Sequence, residues 1–312
     1  MKLILQIAFV FVPVLSIAQD YIDYYSSIND AKRRVLEGEY DTALVIYKQT
    51  FETFEFEYAR DCVNAAEVAA FLNEHESTNY FLECSLRIGV PLTFFEEKEK
   101  YEEFRKTDYW IQLVVASAML HREYLGAIDS TLRAEINEMF REDQSIRSSY
   151  YKWWNFLWRP LIAKKWKALN KRQVNRLVEI TKEQGFPGEK LIGIDVEEYH
   201  PKIDGNQCSA GMPIVILLHH YSQPNASHYS LFKEQIALGN LLNQHYATVS
   251  DFEAKYGKGQ YANDGFYGVG LPLDGDTSEV EVKRAQIGLL DEKEMRNLNQ
   301  QEVLTKFWNR LY

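Results

Sequence analysis

The chain has 312 residues, of which 46% are hydrophobic and 26% are charged, enough for one large or two ordinary domains. This composition excludes a disordered chain, a collagen-like repeat and a small disulfide-dense fold. With 35 basic and 45 acidic residues the net charge is −10, which disfavours nucleic acid as a partner. Because no motif of known chemistry stands out, the sequence specifies no reaction, and we expect no cofactor.

Residues 1–18 have the three parts of a secretory signal peptide. Lys2 supplies a positive charge, residues 3–15 are almost wholly apolar, and Ser16-Ile17-Ala18 places small residues at the cleavage site. The apolar stretch is short for a bilayer span, and the run from 110 to 120 reads as a core helix. We therefore expect a bacterial protein, exported to the periplasm or the extracellular space, with no integral membrane span.

The three cysteines are Cys62, Cys84 and Cys208, an odd number that leaves at least one thiol unpaired after export. Cys62 and Cys84 fall on apolar faces of predicted helices, which favours buried thiols over a disulfide or a nucleophile. No Cys/His spacing in the sequence is typical of a metal site, so we expect no bound metal.

Residues 19–95 contain two windows that align with a shift of 35 residues. The segment from Gly38 to Ala43 aligns with the segment from Asn73 to Thr78. Gly38-x-Tyr40-x-x-Ala43-x-x-x-Tyr47 resembles the inter-helix turn of a tetratricopeptide repeat, and the period fits that family. The resemblance implies helical hairpins with a concave face for a protein partner. The alternative is a helical buttress for the rest of the chain, because two copies are few for a free-standing solenoid.

We therefore predict a mainly α fold with two regions. Tetratricopeptide-like helical hairpins (19–95) pack on a C-terminal, mostly helical domain (96–312). That domain carries a Gly-rich loop, since six of the sixteen glycines lie between Gly257 and Gly275. A separate helix is predicted from Asn170 to Gln184, with Asn170 as its cap.

The helix predicted from Ser130 to Arg147 carries an acid on its apolar stripe. Positions 132, 136, 139 and 140 form the stripe, and the same steps reach Asp143 and then Arg147. A charge on a buried stripe must be paired. Either Asp143 is a base or ligand with Arg147 binding an anion, or the two form a structural ion pair at favourable i,i+4 spacing.

An apolar run at 212–218 ends in His219-His220. Pro213 suits the first turn of a helix, although the Val and Ile content also allows a strand. We assign His220 as the acid/base partner of Asp143. The alternative is a hydrogen-bonded core histidine.

Several of these segments together carry a second resemblance. Asp143-Gln144-x-x-Arg147, Asn170 to Gly185-Phe186-Pro187 and the run ending in His220 are similar to a bacterial domain family of unknown function. Tyr267-Gly268 and Arg284-x-x-x-Gly288-Leu289 extend the similarity, while His219 replaces the family's Gln and Val269 its Thr. The family has no assigned activity. The resemblance implies a site with Asp143 and His220 as catalytic candidates and Gln144, Arg147 and Tyr267 as ligand-binding candidates.

Residues 144–178 contain no acidic residue and nine basic ones, interleaved with aromatic residues. We call its central part, Lys152–Arg172, the island. The island is suited to an anionic polymer, lipid head groups or a sugar. The alternative is that it docks on the chain's own acidic segment from Glu96 to Glu103.

Two functions follow from these features. The leading hypothesis is an exported helical-repeat protein of the bacterial cell envelope that binds a partner or ligand. The second is a secreted acid/base hydrolase with its site at Asp143, Arg147 and His220.

Overall fold

The computed structural model of the protein describes residues 20–194, 209–220, 228–256, 265–269 and 278–305. Of these residues 79% are helical and none lies in a strand, so the prediction of a mainly α fold is confirmed. The predicted signal peptide, Cys208 and most of the Gly-rich loop lie outside the described residues. Within the described ranges no helix is both long and apolar enough to cross a membrane.

The helices follow one another with short connections. They are α1 (Tyr21–Glu37), α2 (Tyr40–Thr53), α3 (Ala59–Phe71), α4 (His75–Arg87), α5 (Thr93–Glu96), α6 (Glu102–Arg105), α7 (Asp108–Ala127), α8 (Ser130–Tyr151), α9 (Arg159–Gln184), α10 (Glu189–Ile192), α11 (Met212–His220), α12 (Tyr229–Ala237), α13 (Asn243–Tyr256), α14 (Ser278–Gln286) and α15 (Glu292–Gln300).

The first four helices form two hairpins, α1 with α2 and α3 with α4. Gly38 closes the first turn with φ 78°, and Asn73 closes the second with φ 58°. Asparagine is one of the few side chains that tolerate this left-handed backbone. The two turns therefore share a conformation, although only the first has a glycine.

These hairpins rest on the C-terminal part of the chain. The Tyr58 hydroxyl donates to the carbonyl of Gly239 at 3.0 Å, and the Asn29 amide donates to the carbonyl of Gly288 at 2.9 Å. Gly288 has φ 69°, and a Cβ there would lie 2.6 Å from the Cβ of Tyr25. One face of α1 and α3 is thus covered by the loops that follow α12 and α14.

Helices α8 and α9 form a long antiparallel hairpin, and α11 packs against both. The prediction that a helix begins at Asn170 is wrong, because α9 begins at Arg159 with Pro160 in its first turn. Asn170 lies in the middle of α9, where its side chain is buried and hydrogen-bonded. The apolar run at 212–218 is helical in α11, and all seven of its residues are buried.

Both described cysteines are free thiols. Cys62 is buried, as predicted, and Cys84 is only half-buried. Burial raises the pKa of the Cys84 thiol to about 12, so the unreactive protonated form dominates there.

Candidate functional site

Asp143 lies where α8, α9 and α11 meet, and its side chain is fully buried. The inward orientation expected from the apolar stripe is therefore present. Buried carboxylates are tolerated only when other groups satisfy their oxygens. The chemistry of this junction depends on which groups do so.

Four polar side chains contact the Asp143 carboxylate. Trp166 Nε1 and Asn170 Nδ2 each donate to Oδ1 at 3.0 Å. Gln144 Nε2 donates to Oδ2 at 3.0 Å, and His219 Nδ1 lies 2.6 Å from the same oxygen. We call these five residues the Asp143 cage. Both carboxylate oxygens are engaged by donors, as an ionised, acceptor-only carboxylate requires.

His219, not His220, is the imidazole that meets Asp143. With an ionised Asp143 as acceptor, the donor in this pair is His219 Nδ1–H, which leaves Nε2 of the neutral ring without a proton. The His219 side chain is 15% exposed, and its ring packs edge-on against Trp166 with centroids 5.5 Å apart. The side chain of His220 lies outside the described residues, so its assignment as a catalytic partner stays a prediction.

Helical spacing alone does not select His219. His219 follows the buried residues Val215 and Ile216 by four and three positions, but His220 follows the buried residues Ile216 and Leu217 in the same way. Trp166 and Asn170 gave no local signal either. They meet Asp143 because of how α9 packs on α8, which is a tertiary contact.

Arg147 does not pair with Asp143. It is exposed, and its guanidinium lies 5.8 Å from the centre of the Tyr151 ring. The predicted structural ion pair is therefore wrong. The cage satisfies the carboxylate, and the buried part of α8 ends at Asp143.

Tyr267 belongs to a second polar cluster, built around Asp251 on α13. The Asp251 carboxylate accepts the backbone N–H groups of Tyr267, Gly268 and Val269 at 2.5, 3.2 and 2.7 Å. Buried Arg284 donates to the carbonyl of Tyr267 at 2.5 Å and to that of Leu290 at 2.7 Å. Two elements of the resemblance, Tyr-Gly and Arg-x-x-x-Gly-Leu, thus come together, and sequence reasoning missed Asp251 as their organiser.

The ring of Tyr267 is buried and lies 6.1 Å from that of Tyr246. These contacts are those of a residue that fixes a loop. The ligand-binding role predicted for Tyr267 stays a prediction.

A polar cavity of about 50 Å³ lies between α1, α3 and the chain after α15. Lys32 Nζ and Arg60 line it, and both contact Asp61, at 2.9 and 3.4 Å. Burial alone raises the pKa of Asp61, but Lys32 and Arg60 outweigh it and hold the pKa below its ordinary value. Burial lowers the pKa of Lys32 although Asp61 opposes that effect. The cavity has room for a few water molecules.

The most exposed apolar surface lies at the far end of the α8–α9 hairpin. None of residues 144–169 is buried, and we call this segment the arm. Seven large apolar side chains on it are exposed: Tyr151, Trp153, Trp154, Phe156, Leu157, Trp158 and Leu161. Since these rings face solvent, the island is not docked on the acidic segment from Glu96 to Glu103.

No protein-family model, curated protein or solved structure matches this chain. The two family resemblances therefore stay predictions. Among the described residues, no group of three or more His, Cys, Asp or Glu is placed to hold a metal ion. Function must be argued from the geometry of the cage and the arm.

Proposed function

We propose that the chain is an exported binding protein of the bacterial cell envelope and that the arm is its contact surface. The observation that carries this proposal is the exposure of the arm, which has aromatic side chains at its tip and no acidic residue. Isolated exposed apolar residues are common on soluble proteins, whereas contiguous patches mark interaction sites.

The size of the patch supports an interaction site. Trp153, Trp154, Phe156 and Trp158 are 57–77% exposed. At about 150–250 Å² per aromatic side chain, these four rings alone leave roughly 500 Å² uncovered. That area matches the largest apolar patch of a typical soluble monomer, about 300–600 Å², and such patches are often functional.

The charge of the arm indicates the chemistry of the partner. The arm carries six basic residues and no acidic one, in a chain of net charge −10, whereas Arg172 and Arg176 further along α9 pair with acids of α8. A partner that presents both negative charge and apolar surface complements this arrangement. The covered face of α1 and α3 supports a buttress role for the hairpins, while a protein partner elsewhere on them stays a prediction.

Sedimentation with isolated bacterial cell envelopes tests this proposal. The purified chain is expected to pellet with the envelopes, and a variant with Trp153, Trp154 and Trp158 changed to Ser is expected to stay in the supernatant. A matched control changes Ile111, Val115 and Met119 to Ser, because these residues form an exposed apolar stripe on a different helix, α7. Equal pelleting of the wild type and the arm variant would contradict the proposal.

A second candidate function is acid–base hydrolysis at Asp143 and His219. The 2.6 Å contact between His219 Nδ1 and the carboxylate favours it, since such a carboxylate orients the ring and leaves Nε2 as the base. Arg147, which is exposed, has no place in this version of the site.

Hydrolysis of p-nitrophenyl acetate by the wild type and by a His219→Gln variant tests this candidate. A catalytic dyad predicts a loss of about 100-fold or more in the variant. Equal rates in two equally stable proteins would remove it.

A further inference from the structure

We propose that the partner of the arm is the surface of an anionic lipid bilayer, into which its tip, the aromatic turn between α8 and α9 (152–158), inserts. This inference rests on the proposed binding role of the arm and names what is bound. The contact is peripheral: the tip enters the headgroup region, and the lysines behind it face the anionic surface.

The arm projects from the buried part of the α8–α9 hairpin. The last eight residues of α8 (144–151) and the first eleven of α9 (159–169) contain no buried residue. At about 1.5 Å per residue, they carry the turn roughly 12–16 Å beyond the last buried layer of the hairpin. A projecting tip of this kind fits a deformable interface.

The side chains at the tip require an apolar phase. Leu157 is 72% exposed and Trp153 is 77% exposed; Leu157 offers no hydrogen-bond donor to an anionic polymer, and Trp153 offers only its indole N–H. A soluble polyanion has nothing to receive the leucine and phenylalanine side chains, whereas the acyl boundary of a bilayer does. Tryptophan and tyrosine are the residues enriched at membrane interfaces, because their rings are amphipathic.

The rings at the tip do not form a platform for sugars. Trp153 and Trp154 lie 5.8 Å apart with an interplanar angle of 83°, so they share no flat face. Tyr150 and Tyr151 meet at 88°. Edge-to-face rings expose apolar edges in several directions, as insertion into a disordered interface requires.

The basic residues lie at the depth that the lipid head groups would occupy. Lys164 and Lys165 are exposed and follow Trp158 along α9 by roughly 9–11 Å. Amphipathic segments insert about 5–10 Å into the headgroup and acyl boundary. With the tip inserted to that depth, these lysines face the phosphate layer. Lys152, also exposed, lies at the tip itself.

The test measures co-sedimentation of the purified chain with vesicles of phosphatidylcholine alone and of phosphatidylcholine mixed with phosphatidylglycerol. We expect at least about tenfold stronger binding to the anionic vesicles, weakened by salt. Brominated acyl chains are expected to quench tryptophan fluorescence on binding, since the tip would contact them. Free heparin is measured in parallel as a soluble polyanion.

Two variants separate the two parts of the contact. Changing Trp153, Trp154 and Trp158 to Ser is expected to lower binding to anionic vesicles by at least about tenfold. Changing Lys152, Lys164 and Lys165 to Gln is expected to remove the preference for anionic vesicles. The α7 control with Ile111, Val115 and Met119 changed to Ser is expected to bind like the wild type.

Three results would overturn the lipid proposal. The first is a wild type that binds heparin but neither kind of vesicle. The second is vesicle binding that the tryptophan changes leave intact. The third is an α7 control that loses vesicle binding as the arm variant does. The first of these leaves the arm as a binding surface if envelopes are still pelleted through it. A wild-type chain that binds neither vesicles nor envelopes would overturn both proposals.

Discussion

The two halves of the α8–α9 hairpin differ in which side chains they bury. The inner half lies at the junction with α11 around Asp143, and the outer half is the arm. In the inner half, polar side chains are buried: Asp143, Asn170 and Gln173 are almost fully inaccessible. In the outer half, large apolar side chains are exposed, with Trp153 and Leu157 as the extremes. The inner half therefore buries polar side chains beside its apolar stripe, and the outer half exposes apolar ones; both features are unusual.

The difference shows what each half depends on. The inner half satisfies its buried carboxylate within the chain: Asp143 has four partners, and Gln173 Nε2 donates to the carbonyl of Met139 at 2.6 Å, although Gln173 Oε1 has no hydrogen-bond partner among the described residues. Most of the outer half's apolar surface is left uncovered by the chain. We infer that the inner half determines how α8, α9 and α11 pack, whereas the side chains of the outer half serve contact with a partner.

The largest expected effect comes from emptying the cage. Asp143→Ala removes the acceptor of four side chains and leaves a small void, so we expect the free energy of unfolding to fall by about 3–5 kcal/mol. Urea unfolding followed by circular dichroism measures the change. The control is Glu138→Ala on the same helix, where the side chain is 62% exposed and little change is expected. Equal stability of the two variants would mean that the cage does not hold the inner half together.

A second buried carboxylate tests whether the number of donors matters. Glu189 is buried like Asp143, but its described hydrogen bond is a single one, from the Ala59 N–H at 3.0 Å. Burial raises the pKa of Glu189 from 4.5 to about 7, against the opposing effects of that N–H and of Arg60. The folded state therefore binds more protons than the unfolded state between about pH 4.5 and 7.

It follows that Glu189 favours the folded state below pH 4.5 and that this contribution is lost as the pH rises to about 7. We expect this contribution to the free energy of unfolding to be about 3 kcal/mol. Burial also raises the pKa of Glu57 to about 7, so the wild type is compared with Glu189→Gln. The free energy of unfolding, measured by denaturation at pH 5 and pH 8, should fall more between these pH values in the wild type than in the Glu189→Gln variant. Parallel pH profiles would show that Glu189 titrates normally.

The sequence predicted the parts of this fold that depend on local pattern. The helical stripe put Asp143 inside, and the 35-residue shift matched Gly38 with Asn73, two residues that share a positive φ. The same reasoning failed where distant segments meet. Trp166 and Asn170 reach Asp143 from 23 and 27 residues along the chain, through packing that no local pattern encodes.

His219 was missed for a different reason. The resemblance put the emphasis on His220, and an apolar run of seven residues, which fits either a strand or a buried helix, does not determine which of two adjacent histidines faces inward. Asp251 was missed because its partners are backbone N–H groups, which the identity of a residue does not reveal.

A smaller effect is expected at Trp166, which joins the two halves. Its Nε1 donates to Asp143, and its ring lies 5.8 Å from that of Tyr150 on the arm. Trp166→Phe keeps a ring but removes the donor, so we expect a loss of about 1–1.5 kcal/mol in urea unfolding. Trp153→Phe at the tip is the matched control and should not change stability. A similar loss in both variants would contradict the distinction between the halves.

The smallest expected effect is at the tip, although it involves the largest change in composition. Changing Trp153, Trp154 and Trp158 to Ser in lipid-free buffer should alter the free energy of unfolding by no more than about 0.5 kcal/mol, because the three rings are exposed in the folded protein. Thermal and urea unfolding both measure this. A loss above about 1 kcal/mol would mean that the rings pack on the body of the protein. An unchanged stability would instead mean that three exposed tryptophans contribute nothing to folding. Exposing such a surface to water is unfavourable, so its presence is best explained by a partner that covers it.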